Sequence, residues 1–147
     1  MKKILIVDDR TENRIMLANY FKLFSANDEN KLIILQADNS AAAIDLAYSE
    51  KPDLILMDIK LESDEAGLDA ARKIKQNEET KDITIWAVTA YVSLGNDDGV
   101  IHEQQLCQEA GCSEYILKPF NPAELMQKIS AALNIPIPEE IVKRMNS

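Results

Sequence analysis

Five short runs rich in Ile, Leu and Val, each separated from the next by a longer segment of helical period, constrain this chain more than any other feature. Such alternation argues for strands and helices in turn. Strands are expected near Lys3–Val7, Leu32–Ala37, Leu54–Met57, Thr84–Val88 and Glu114–Leu117. All are nearly continuous in apolar residues, as strands buried on both faces should be. Helices are expected near Glu12–Phe24, Ala41–Ser49, Leu68–Gln76, Ile101–Ala110 and Pro122–Leu133. Several carry end signals. Ser40 stands before Ala-Ala-Ala-Ile as a cap, Asn121-Pro-Ala-Glu supplies a capping Asn with Pro at the first helical position, and Gly111 follows Ala110 as a stop. Leu68, Ala71 and Ile74, opposite Arg72 and Lys75, give the third helix one buried and one wet face.

Five such units with short links require a parallel sheet covered on both sides, with right-handed crossovers. The expected fold is α/β, a doubly wound five-stranded parallel sheet with five helices in a three-layer sandwich. A ligand site in that fold lies beyond the carboxyl ends of the strands, where strand order reverses.

Composition narrows the function classes. The 147 residues suit one domain, expected over 1–133, with a short tail over 134–147 that packs on its own domain or frays, or forms a short amphipathic turn. A net charge of −9 argues against binding nucleic acid through phosphate contacts. No stretch reaches the length of a membrane span, and the apolar run after Met-Lys-Lys is too short for a signal peptide. A cytoplasmic location follows as the default, with no nucleic acid and no membrane among the partners. Cys107 and Cys112 lack the neighbours of a zinc site and read as reduced structural thiols. Trp86 and Met57 belong to the core, and His102 reads as a solvent-exposed residue.

The polar residues at strand ends carry the chemistry. Asp8 and Asp9 follow the first strand, Asp58 the third, Thr89 ends the fourth and Lys118 the fifth. Each alone is an ordinary cap or turn residue. Together they converge on one sheet edge. Three clustered carboxylates repel one another, so they raise a pKa or hold a cation, and hard oxygen ligands point to Mg²⁺ or Mn²⁺. Asp58 is then the candidate nucleophile, accepting a phosphoryl group as an aspartyl phosphate, with Lys118 and Thr89 as cationic and hydroxyl partners of the phosphoryl oxygens.

With Ile-Val-Asp-Asp at 6–9, Leu-Met-Asp-Ile at 56–59, Val-Thr-Ala at 88–90 and Tyr-Ile-Leu-Lys-Pro-Phe at 115–120, the chain resembles the response regulator receiver domains of two-component signalling from Lys2 to about Leu133. The resemblance implies a flavodoxin-like sheet of order 2-1-3-4-5. It makes Asp58 the phosphoacceptor, gives the cation Asp8, Asp9, Asp58 and the Lys60 carbonyl, and assigns the phosphoryl group to Thr89, the Ala90 backbone N–H and Lys118. It also implies a cis Lys118–Pro119 bond, although Lys-Pro alone would be presumed trans. Tyr115 matches the switch aromatic, which follows the Thr89 hydroxyl inward on phosphorylation and alters the face of the fourth helix, fifth strand and fifth helix. The implied partners are a sensor histidine kinase or histidine phosphotransfer protein and a downstream protein target, with that face a candidate for homodimerisation. No catalysis is expected beyond self-phosphorylation from small phosphodonors and autodephosphorylation. With only a short tail after the fifth helix, a stand-alone single-domain type is expected, either a free-standing regulator or a relay carrier, although a receiver cut from a larger chain would look the same.

Three departures stand out. The segment after Asp58 lacks the usual Pro and is one residue longer before Gly67; Tyr91 to Gln105 is several residues longer than usual; and the Asn27-Asp-Glu-Asn turn is extended. Lys60 and Tyr91, flanking the site, are expected to tune the lifetime of the phosphorylated form. Two alternatives remain. One is a receiver fold used as a phosphorylation-independent interaction module, opposed by the retention of all five site residues. The other is a phosphatase of the haloacid dehalogenase type, which needs an Asp two positions after its nucleophile, where Asp8 has Arg10 and Asp58 has Lys60. A dinucleotide site lacks its Gly-rich loop.

Overall fold

Alternate side chains of every central strand face opposite sides of the sheet, and this period of two builds two separate cores. The computed structural model describes residues 2–23, 32–63, 65–90 and 98–145. Its strands are β1 (Lys2–Val7), β2 (Leu32–Ala37), β3 (Leu54–Met57), β4 (Thr84–Ala90) and β5 (Glu114–Lys118). They form one parallel sheet in the order β2-β1-β3-β4-β5. The helices are α1 (Thr11–Lys22), α2 (Ser40–Glu50), α3 (Ala66–Gln76), α4 (Asp98–Glu109), α5 (Pro122–Leu133) and α6 (Glu139–Met145). On one side Leu5, Val7, Ile55, Met57, Ile85 and Ala87 pack with Ala43, Ala47, Ala71, Ile74 and Cys107 of α2, α3 and α4. On the other, Ile4, Ile6, Leu54, Leu56, Trp86 and Val88 pack with Leu17, Phe21, Leu125 and Ile129 of α1 and α5.

The doubly wound expectation holds, with local corrections. Among the described residues there are six helices rather than five. Ile135 and Ile141 join the core under α1 and α5, so the segment after Leu133 turns back onto the domain and orders α6. The cap of α2 is Asn39 rather than Ser40: the Asn39 side chain accepts from the Ala42 N–H at 2.9 Å, and Ser40 is the first helical residue. The fourth helix begins at Asp98, three residues before the expected start. The expected caps at Asn121 and Gly111 stand. Asn121 accepts from the Ala123 and Glu124 N–H groups, and Gly111 takes φ +100°, which a side chain would disfavour.

The sheet order sets the site. Strand order reverses between β1 and β3, so their carboxyl ends open a crevice into which Asp8 and Asp58 fall. Backbone bonds hold these ends in place: the Asp58 N–H donates to the Val7 carbonyl at 2.9 Å and the Asp8 N–H to the Ala37 carbonyl at 3.1 Å. Behind Asp58, Gly67, the second residue of α3, donates its N–H to the Ile59 carbonyl at 2.8 Å and lies so close that a Cβ there would collide with the Asp58 carbonyl oxygen.

Candidate functional site

Asp8 and Asp58 are 2% and 7% exposed, an unusual depth for carboxylates unless each finds donors. Asp8 finds three. Its Oδ1 accepts from the Arg10 N–H at 2.9 Å, and its Oδ2 accepts from Lys118 Nζ at 2.7 Å and Asn13 Nδ2 at 3.2 Å. Asp58 Oδ1 accepts from the Lys60 N–H at 3.2 Å, and its Oδ2 from Lys118 Nζ at 3.3 Å. Lys118 reaches both carboxylates from the end of β5, and the Lys118–Pro119 peptide after it is cis. Asp9 is exposed, yet one carboxylate oxygen each from Asp8, Asp9 and Asp58 lies within 4.8 Å of the others.

Within the cluster itself, the three carboxylates have one ammonium in direct contact and so a local surplus of two negative charges, with Arg10 and Lys60 lining the cleft beside them. Burial, the largest cause, holds the Asp58 carboxyl above the usual carboxylate range; the Lys118 ammonium opposes this and the Asp8 carboxylate adds to it. For Lys118, burial works against the charged form, but the bonds and charges of Asp8 and Asp58 outweigh it, so its pKa rises. The ammonium stays charged where an incoming anion would need it. The residues therefore fit a hard divalent cation: oxygen ligands of surplus negative charge, beside a cleft of about 410 Å³ lined by Asp9, Asp58, Lys60, Ala90 and Lys118 among others.

Thr89, expected as a phosphoryl partner, is 0% exposed in β4, and its hydroxyl has no hydrogen-bond partner among the described residues. A buried, unpaired hydroxyl costs free energy and calls for a reason. Tyr115, the expected switch aromatic, is half-buried on β5, and its hydroxyl donates to Glu103 Oε1 of α4 at 2.7 Å. Burial, then the Glu103 bond and charge, raise the Tyr115 pKa far above its ordinary value. Tyr91 lies outside the described residues, as do the Asn27 turn and the first part of the long segment before α4. His102 is exposed on α4, while Cys107 and Cys112 are buried free thiols, as expected.

Sequence reasoning missed Asn13, Arg14, Glu103 and Glu62. Glu62, in the lengthened loop after Asp58, accepts from the Ser40 hydroxyl at 2.6 Å and the Ser40 N–H at 3.0 Å, tying that loop to the start of α2. The signal for Asn13 and Arg14 was available, since both fall in the first turns of the helix that follows Asp8-Asp9. Only the helix phase shows which side chains turn back toward the cleft.

A model of the response regulator receiver domain family matches residues 4–130. The chain belongs to that family. Among relatives of this receiver domain, the phosphate regulon transcriptional regulatory protein PhoB of Pseudomonas aeruginosa is 38% identical over 132 residues, covering 90% of this chain and 52% of PhoB. The chain thus spans about half the length of that relative. The polar-differentiation response regulator DivK of Brucella anthropi is 30% identical over 132 residues, covering 90% of this chain and 96% of DivK. The signal receiver domain of a DNA-binding response regulator (merR) from Colwellia psychrerythraea superimposes with a TM-score of 0.75 at 25% identity, covering 91% of this chain and 99% of that one. The acidic pocket of Asp8, Asp9 and Asp58 fits the phosphorylation site of a two-component receiver. Among the described residues no helix is long and apolar enough to cross a membrane.

Proposed function

We propose that this receiver accepts a phosphoryl group on Asp58 in a two-component or phosphorelay system, and that the modification moves Thr89 and Tyr115 and so changes partner binding. The observation that carries the reading is the buried Asp58 carboxylate, which shares the Lys118 ammonium with Asp8, together with a Thr89 hydroxyl that has no partner among the described residues. In the transfer an Asp58 carboxylate oxygen attacks phosphorus. The P–N bond of a phosphohistidine, or the P–O bond of an acyl phosphate, breaks, and the leaving group departs with the electron pair. Lys118 Nζ turns from Asp8 toward the new phosphoryl oxygens, the Ala90 N–H and the Thr89 hydroxyl donate to them, and Thr89 thereby gains a partner that it lacks among the described residues. A Mg²⁺ or Mn²⁺ held by Asp8, Asp9, Asp58 and the Lys60 carbonyl supplies charge neutralisation for the phosphoryl oxygens. As Thr89 turns inward, Tyr115 gives up Glu103 and follows, a two-state shift biased by new charge-assisted bonds.

The phosphodonor is a sensor histidine kinase or histidine phosphotransfer protein. An apolar groove of about 540 Å³, lined by Met16, Leu17, Pro119, Phe120 and Pro122 and opening next to Lys118, suits a helix that brings a phosphohistidine to Asp58. The output is binding to a downstream protein, and the protein is cytoplasmic and catalyses nothing beyond its own phosphorylation and dephosphorylation. Intact-mass spectrometry after acetyl phosphate tests the reading. One phosphoryl adduct is expected with Mg²⁺, and none with EDTA or in Asp58→Asn; an equal adduct in Asp58→Asn would refute it.

A further inference from the structure

We propose that Asn13 is a positioning residue for the cation site, holding Asp8 in place when Lys118 leaves it; the inference rests on the phosphoacceptor reading above. Asp8 has three donors. The Arg10 N–H occupies Oδ1. Oδ2, with room for two donors, carries Lys118 Nζ at 2.7 Å and Asn13 Nδ2 at 3.2 Å. Lys118 has a second duty, since it also reaches Asp58 and must follow the phosphoryl group. Asn13 has no such duty. Its amide is then the one described side-chain donor left to keep the Asp8 carboxylate from rotating about its last bond.

The same turn of α1 fixes the Asp8 backbone. Arg14 Nη1 donates to the Asp8 carbonyl at 2.8 Å, while Arg14 Nε donates to Gln36 Oε1 of β2 at 3.2 Å and Nη2 to Thr11 Oγ1 at 3.3 Å. Arg14 thus ties the start of α1 to the ends of β1 and β2, and sets the height at which Asn13 meets Asp8. Asn13 also borders both the acidic cleft and the apolar groove beside it, so a partner entering the groove touches the residue that aims Asp8. Groups that orient a metal ligand are commonly worth about 10–100-fold in metal affinity.

The test is Mg²⁺ binding by calorimetry to the unphosphorylated protein, beside the rate of acetyl phosphate labelling at low and saturating Mg²⁺. Asn13 is half-buried on a helix surface, where Ala keeps the helix. Asn13→Ala is expected to bind Mg²⁺ about 10-fold more weakly. Its labelling should be slow at low Mg²⁺ and return to within about 2-fold of wild type at saturation, since losing a group that orients a metal ligand acts through metal affinity. Because Mg²⁺ binding also stabilises the folded state, a folding defect is separated by denaturant unfolding without Mg²⁺, where Asn13→Ala should match wild type to within about 1 kcal/mol, a factor of about 5 in the unfolding constant. A larger loss there, incomplete rescue of labelling by Mg²⁺, or wild-type Mg²⁺ affinity in Asn13→Ala overturns the proposal. If the wild-type protein itself neither binds Mg²⁺ nor labels, the phosphoacceptor reading falls and this one with it. If it does both and Asn13→Ala matches it, only this inference falls.

Discussion

The two halves of the cleft are built differently. On the side of β1 and β3, the buried carboxylates are held: Asp8 by three donors and a guanidinium on its carbonyl, and Asp58 by Lys60 and Lys118. On the side of β4 and β5, the Thr89 hydroxyl bonds to nothing described, and Tyr115 is fastened by one bond to Glu103. A receiver needs both kinds of construction. The half that positions charge gains from rigidity, because its groups are ready before the phosphoryl group arrives. On the proposed function, the half that reports the event must hold two arrangements of similar free energy, and a hydroxyl with no partner among the described residues beside a single tether would set that balance.

Removing Lys118 should break the rigid half most severely. Lys118→Met is expected to slow acetyl phosphate labelling on the order of 100-fold, the loss typical of one electrostatic donor, as followed by intact mass. Mg²⁺ binding should tighten in the same variant, because the ammonium no longer occupies Asp8. Labelling at the wild-type rate would mean that the pair of ion contacts to Asp8 and Asp58 is only structural.

The proposed switch half, at β4 and β5, is tested by a pair of substitutions. Glu103→Ala frees Tyr115 at a cost of about 1 kcal/mol, a population change of about 5-fold. The β5 amide shifts of the unphosphorylated variant should therefore move toward those of the phosphorylated wild type. Thr89→Val removes a buried hydroxyl that has no partner among the described residues, so it should leave stability unchanged or raise it by about 1 kcal/mol. It should hold the β5 shifts in their unphosphorylated positions even after labelling. Denaturant unfolding and NMR together check the pair, and a strongly destabilised Thr89→Val would show that the hydroxyl is bonded after all.

The smallest effect concerns the thiols beneath α4. Burial, chiefly, pushes Cys107 up to about 12 and Cys112 up to about 11, from an ordinary 9.0. Both should resist alkylation at pH 8, and phosphorylation should speed the reaction of Cys107 several-fold if α4 moves, because exposure restores thiolate character. The fold favours the protonated thiols. Their contribution to stability is complete below about pH 9 and lost as pH rises through the folded values toward about 12. Equal alkylation rates before and after phosphorylation would place α4 in the fixed half.

Much of this was legible in the sequence, and the limits are physical. Strand ends are set by where a local apolar run stops, so Asp8, Asp58, Thr89 and Lys118 could be placed at one edge without coordinates. Helix starts are less sharply written: Asn39 and Ser40 are both good caps, and only the backbone conformation decides between them. The segment of α6 was legible only as a tail that packs on the domain, frays or forms a short amphipathic turn, because a stretch this short after two prolines cannot fix a helical period of its own; Ile135 and Ile141 order it by packing on a core assembled elsewhere. Glu103 and Asn13 escaped for a related reason. Each meets its partner through helix phase and tertiary approach, which a one-dimensional pattern does not encode.

The measurement that tests the central claim most directly identifies the phosphorylated residue. The protein is labelled with acetyl phosphate and Mg²⁺, reduced with borohydride, which converts an aspartyl phosphate to homoserine, and mapped by peptide mass spectrometry. Homoserine at position 58 alone is the result the structure leads us to expect. Homoserine at Asp8 or Asp9, or reduction of no carboxylate in protein that carries the label, would contradict it.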